Sequence, residues 1–239
     1  MRSLTLYWES DAQSADAIRR LRKGTREVNA KRFLVREGET QSEVYSIHSG
    51  WGARMKAIGD GRRKILQFLM GSDFVDFPLT SVRVASHSVL AVTDLQVCVF
   101  DRAVLAEYVA AHPAVLRRLE WWITMEMNYA YGRLLDVGRR SALERVAHLL
   151  LELYRRQERL GLLENGVMRC PLRQQDIGDA LGLTSVHVSR TLAELKADGF
   201  LELHASELRI LDRAGIRSLV GLPADQAVPE YEGFDTFRA

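Results

Sequence analysis

The sequence predicts an α+β chain. Its N-terminal part is an antiparallel β-roll (a double-stranded β-helix, or jelly roll), followed by a long helix and a C-terminal helix-turn-helix that carries a two-stranded hairpin. Three observations predict this order. Short apolar runs punctuated by glycine fill residues 33–100. Apolar side chains recur at seven-residue spacing between Leu116 and Val137. Residues 171–195 then place a glycine turn between two short amphipathic stretches.

Composition sets the outer bounds. A chain of 239 residues, 47% hydrophobic and 27% charged, belongs with folded proteins rather than disordered or fibrous ones, and suffices for one large or two modest domains, each with its own core. No run of about eighteen apolar residues occurs, so no membrane-spanning segment is expected. The opening stretch meets Glu9 too soon for a secretory signal, and a cytoplasmic protein is expected. Cys98 and Cys170 are too few for a disulfide framework or a four-thiolate metal site. The formal net charge is only +2, so charge alone does not announce a nucleic-acid binder. Residues 222–239 set Arg238 against Asp225, Glu230, Glu232 and Asp235, which leaves the rest of the chain more basic than the total suggests. A basic footprint must therefore be local, a few arginines on one face.

Residues 11–23 read as a short polar helix stopped by Gly24. From there the texture changes to brief apolar runs at Phe33–Val35, Val44–Ile47, Ile65–Leu69, Val89–Val92 and Val97–Phe100. Gly38, Gly50, Gly52, Gly59, Gly61 and Gly71 fall between them. β-Branched and aromatic runs separated by glycine turns are what a small antiparallel roll requires. Asp101 stands where a helix N-cap belongs, ahead of Val104, Leu105, Tyr108 and Val109 at helical spacing. His112-Pro113 interrupts, and a longer helix runs from Ala114 to about Val137.

That helix carries a heptad track. Leu116, Ile123, Ala130 and Val137 share one register, Met127 and Leu134 the other, with Glu120 as the polar member. A track sustained for about three heptads suits a coiled-coil seam between two copies of the chain, and equally one face of a core helix. Gly138 reads as the break and the domain boundary. A further helix follows with Leu143, Val146, Leu149, Leu150 and Leu153 on its buried face, and Leu160–Val167, holding Gly161 and Gly166, reads as a loop. The expected division is 1–112 for the roll and its leading helix, 113–137 for the long helix, 138–221 for the C-terminal domain, and 222–239 as a mobile tail.

Pro171–Leu195 is the most informative stretch. Ile177, Ala180 and Leu181 give a first helix an apolar stripe, and Gly182 supplies a residue free to take positive φ at the corner. Leu183 plugs the angle between helices, and Thr184 caps the second. Val188, Leu192 and Leu195 form that helix's buried stripe. What points outward from its first turns is Ser185, Val186, His187, Ser189 and Arg190, and such turns enter the major groove of DNA. Arg190 suits bidentate contact with guanine. Phe200–Leu203 and Glu207–Leu211 then read as the strands of a wing, with His204 at its tip and within reach of a phosphate. A winged helix-turn-helix that binds double-stranded DNA is the expectation.

These residues resemble the Crp/Fnr family of bacterial regulators over about residues 25–221. Phe33-Leu34-Val35-Arg36-Glu37-Gly38-Glu39, then Val44–Ile47 and Gly50, look like that family's cyclic-nucleotide-binding-type roll, and Arg140–Leu150 looks like the entry to its DNA-binding domain. The resemblance implies a sensor roll, a dimerisation helix through Leu116–Val137, palindromic DNA sites, and an effect on RNA polymerase. Gln175 matches a family glutamine that contacts phosphate, and Arg173 is placed to do likewise. Ser189 and Arg190 match the Fnr branch, whereas Val186 stands where members commonly carry glutamate. A valine cannot accept from cytosine N4 but can touch a thymine methyl.

The sensor end departs further. Family members that bind cyclic AMP use a Gly-Glu-Leu segment and a following Arg-Ser pair. The corresponding regions here are Gly71–Pro78 and Ala85–Val89, without that glutamate or arginine. Arg83 is nearby but off the motif. A buried phosphate without a guanidinium partner is costly, so no cyclic nucleotide is expected. No cysteine precedes Cys98, so no iron–sulfur cluster is expected. His48 and His87 read as satisfied strand residues rather than haem ligands, and Cys98 as a small core residue. No glycine phosphate loop, nucleophile elbow or metal-ligand helix appears. The expectation is therefore a homodimeric transcription regulator with no cofactor and no enzymatic reaction. The alternative is a sensor whose roll takes an unidentified small molecule or a redox signal, Cys170 included, to control DNA binding.

Overall fold

The computed structural model describes residues 19–59, 61–75 and 84–222. Strand β1 (Arg22–Val28) pairs antiparallel with β7 (Leu95–Asp101), which pairs in turn with β3 (Glu43–Ser49). The second sheet runs in the order β2 (Phe33–Val35), β6 (Ser88–Ala91), β4 (Gly52–Ala57), β5 (Arg63–Leu69), again antiparallel. Inward-facing Val35, Ile47, Leu69, Val89, Val97 and Val99 form the interior of this roll. The expected runs are all strands, and two strands escaped notice. β4 hides among the glycines, and β1 (sequence RKGTREV) is mostly exposed and held by its pairing with β7. The helix expected at residues 11–23 is corrected at its end: only Arg19–Leu21 are helical among its described residues, and Arg22 and Lys23 open β1. A ladder to β7 outweighs local helical preference there. Its first part, residues 11–18, lies outside the described residues.

Helix α1 (Arg102–Ala111) starts at the expected cap, with Asp101 Oδ1 accepting from the backbone of Ala103 and Val104. The long helix α2 spans Pro113–Arg139. One face of it (Val115, Leu119, Trp122) packs with Leu105, Val109, Val44 and Phe100 of α1 and the roll. Gly138 does not break it, which corrects the expected boundary. The stop comes at Arg140, extended at ψ 144°, because Ser141 caps the next helix α3 (Ala142–Arg159) in a reciprocal box with Glu144. A single glycine costs a helix only about 1 kcal/mol, less than this cap and its packing supply.

The C-terminal part holds α3, β8 (Met168–Arg169), α4 (Gln174–Leu181), α5 (Ser185–Ala197), β9 (Leu201–His204), β10 (Glu207–Ile210) and α6 (Arg213–Leu219). Its three strands form a sheet in the order β8-β10-β9. The two parts do not keep separate cores. Trp51, Met55, Ile65, Phe68 and Met70 of the roll join Leu149, Leu153, Ile177, Leu181, Val188 and Leu195 in one apolar cluster. A buried ion pair crosses the same junction, Arg156 with Asp73, while Arg156 also donates to the Phe68 carbonyl at 2.9 Å. Pro223–Ala239, where a mobile tail is expected, and Asp76–Arg83, which include Pro78, lie outside the described residues. No helix among the described residues is long and apolar enough to cross a membrane.

Candidate nucleic-acid interface

The helix-turn-helix is set by local chemistry. Gly182 takes φ 70° at the end of α4, and its N–H reaches the Gly178 carbonyl. Gly178 itself sits so close to the turn that a Cβ there would lie 2.5 Å from the Leu183 carbonyl oxygen. The Thr184 hydroxyl accepts from the His187 N–H at 3.2 Å, starting α5. Val188, Leu192 and Leu195 are buried, which fixes the rotation of α5 and turns its opposite face outward. Ser185, Val186, His187, Ser189 and Arg190 are all exposed on that face, Val186 to 57%.

Flanking groups extend this surface. Gln175 is exposed on the first turn of α4. Arg173 is exposed too, but its guanidinium is engaged: Nε and an Nη donate to Asp176 at 2.9 Å each. His204 ends β9 beside a tight turn in which Ala205 and Ser206 both take positive φ. The Cys170 N–H donates to Ser206 O at 2.7 Å, and Lys196 Nζ to Leu203 O at 2.7 Å, tying the wing to β8 and to α5. Each residue expected to face DNA is exposed: Arg173, Gln175, Thr184, Ser185, Val186, His187, Ser189, Arg190 and His204. Cys170 is buried, and burial pushes its thiol up to about 11, so at neutral pH it is not the thiolate that redox chemistry needs. Cys98 is fully buried in the roll. Among the described residues no group of His, Cys, Asp or Glu could hold a metal.

What holds this unit in place was not read from the sequence. Arg63 of β5 donates to Asp179 at 2.5 Å and to Asp176 at 3.3 Å, and Lys64 Nζ donates to Ala180 O at 2.7 Å. The roll thus grips α4 by three positions of one helical face. Asp176 is nearly buried. Burial raises its carboxyl, but hydrogen bonds from Arg173 and the charge of Arg63 more than reverse this and hold it below the usual range. A second hub lies at the base of α2, where fully buried Asp136 accepts from Arg133 at 3.1 Å and Arg140 at 2.6 Å, with His148 Nδ1 within 3.0 Å.

Along α2 the expected seam divides. Ile123, Met127, Ala130, Leu134 and Val137 are exposed, Leu134 to 70%, whereas Leu116 is partly buried against the roll. Tyr131 and Leu135, exposed to 57% and 49%, extend the stripe. It forms one wall of an open groove of about 840 Å3, whose other wall is Lys64, Ile65, Leu66 and Gln67 of β5.

Comparison with known proteins accords with this arrangement. Residues 25–112 match the cyclic nucleotide-binding domain, and residues 144–219 match the Crp-like helix-turn-helix domain. The transcriptional activator protein FnrL of Cereibacter sphaeroides is 34% identical over 208 residues, 83% of each chain. The transcriptional activatory protein AadR of Rhodopseudomonas palustris is 32% identical over 89% of this chain and 87% of its own. The solved structure of FixK2 from Bradyrhizobium japonicum superposes with a TM-score of 0.75 at 31% identity, covering 84% of this chain and 98% of that one. With both domains matched, and with FnrL, AadR and FixK2 alike over most of its length, the chain belongs to the Crp/Fnr family of transcription regulators.

Proposed function

We propose that the regulator acts in the cytoplasm as a homodimer on inverted-repeat promoter sites, and that Ser189 and Arg190 read base edges while Val186 contacts a thymine methyl. The observation that carries this reading is the face of α5: its first turns are exposed and capped, and its other side is buried in the domain core. Ser185 and His187 share that face, and Gln175, Thr184, His204 and Arg173 border it and serve as backbone contacts, Arg173 once a phosphate competes with Asp176 for it. A two-fold dimer joined along Ile123, Met127, Ala130, Leu134 and Val137, with Leu116 at its start, covers an apolar stripe too continuous for a lone helix in water. Two recognition helices related in this way face half-sites roughly 34 Å apart. The output is recruitment or obstruction of RNA polymerase, with no reaction catalysed and no cofactor held.

Arg190→Ala tests the assignment. It should cost about 1–3 kcal/mol of affinity at a cognate duplex, relax specificity at one base pair, and leave the unfolding midpoint unchanged. Unaltered binding in a salt-matched anisotropy titration would overturn the role given to Arg190. A second reading, in which the roll takes an unidentified small-molecule effector, is favoured by the open groove between β5 and α2. A compound screen by thermal shift decides it, because a ligand of the native state raises the midpoint.

A further inference from the structure

A roll matching the cyclic nucleotide-binding domain implies a nucleotide, so the fit of its residues can be tested. The segment that corresponds to the family's phosphate-holding stretch begins at Gly71, and its Phe74 and Val75 carbonyls are already occupied. Both accept from an Nη of Arg54 on β4, at 3.1 Å each. The other Nη donates to Gln67 Oε1 at 2.6 Å and to Glu126 Oε2 at 2.7 Å, and Gln67 Nε2 donates to Glu126 Oε1 at 2.7 Å. Arg54 and Glu126 side chains are each only 14% exposed. The remaining Arg54 donor, Nε, is buried without a partner. An anionic phosphate beside Phe74 and Val75 would find the guanidinium consumed and a carboxylate facing it. The described residues of this stretch do not fit a cyclic nucleotide.

Glu126 lies on α2, Arg54 and Gln67 on adjacent strands of the roll. The network therefore joins the roll to the helix that carries the exposed apolar stripe, across 72 residues of chain. Next to it Phe74 meets Trp122 of α2 edge-on, with ring centroids 5.8 Å apart. We propose that Arg54, Gln67 and Glu126 are a built-in clasp standing where an effector would otherwise bridge roll and helix, so that the DNA-binding arrangement is held without any ligand. This rests on the regulator reading above. Breaking the clasp removes the polar tie between α2 and the roll and leaves their apolar contact through Val115, Leu119 and Trp122, and through Arg63 and Lys64 the roll also holds α4. Its loss is therefore felt at the DNA face, coupled through packed elements.

The test uses the full-length protein and a duplex recovered from a random pool by the unmodified chain. The unmodified protein should bind this duplex with no nucleotide present, and 3′,5′-cyclic AMP should change neither its affinity nor its unfolding midpoint. Glu126→Gln keeps the shape, removes the charge, and should weaken binding about fivefold or more while the protein stays dimeric. Ile47→Val, inside the roll and away from α2, should lower the midpoint and leave DNA affinity unchanged, which separates positioning from stability. If Glu126→Gln does not fold, because a buried arginine is left uncompensated, the charge-free pair Arg54→Met with Glu126→Gln takes its place and should bind weakly too. Binding as tight as that of the unmodified chain in either variant, or tightening by cyclic AMP, overturns the clasp alone. Failure of Arg190→Ala to weaken binding overturns the regulator reading instead.

Discussion

Replacing Asp136 by Asn removes one charge from the joint between the long helix and the DNA-binding domain. The carboxylate is fully buried and holds Arg133, Arg140 and His148. Breaking a buried pair by deleting one partner costs about 3–5 kcal/mol, since the other charge is left without compensation. Two features here bring the cost to the lower end. Arg133 keeps Glu152 at 3.0 Å, and Arg140 keeps the Val220 carbonyl at 2.9 Å. About 3 kcal/mol in a chain of this size lowers the unfolding midpoint by roughly 6–12 °C. Scanning calorimetry at fixed protein concentration measures it. The pH dependence adds a second signature. Burial raises the Asp136 carboxyl, but hydrogen bonds from His148 and Arg140 and the charge of Arg133 leave it below the usual range. A group depressed in the folded state stabilises above its unfolded value, and that contribution is lost as pH falls through the folded value. The contribution of the Asp136 carboxylate to the gap should therefore be complete above about pH 5 and shrink below about 4. A midpoint within about 2 °C of the unmodified protein at pH 7 would refute the hub.

Two other perturbations follow from the same geometry. Gly178→Val forces a side chain against the Leu183 carbonyl, and should cost about 1–3 kcal/mol by thermal unfolding and weaken DNA binding by opening the helix-turn-helix corner. Ile123→Glu places two like charges in the proposed seam, and sedimentation should show monomers; an intact dimer would exclude this seam.

Much of the reading head was legible because its signals are local. Gly182, Leu183 and Thr184 each do one short-range job, and Val188, Leu192 and Leu195 repeat at helical spacing, so the exposed face of α5 follows from the sequence order. Phe33–Val35 and the Asp101 cap were legible for the same reason. Long-range partners were not. β1 is exposed over most of its length and becomes a strand through β7, some seventy residues away in the chain. Gly138 looked like a stop because glycine often ends helices, but the stop is decided by the Ser141–Glu144 box beyond it. Arg63 with Asp179, and Arg54 with Glu126, are separated by 116 and 72 residues, and no periodicity joins such positions. The Arg62-Arg63-Lys64 run at the start of β5 was the available signal, a basic cluster at the head of a strand.

The central claim is that α5 reads an inverted repeat as one half of a two-fold pair. Selecting duplexes from a random pool with the full-length protein, at physiological salt and without added nucleotide, tests it most directly. The expected result is one enriched palindrome whose half-sites lie about one helical turn apart and keep a guanine that Arg190→Ala ceases to require. A pool that shows no enriched sequence, or a single half-site without its inverted partner, would contradict the account.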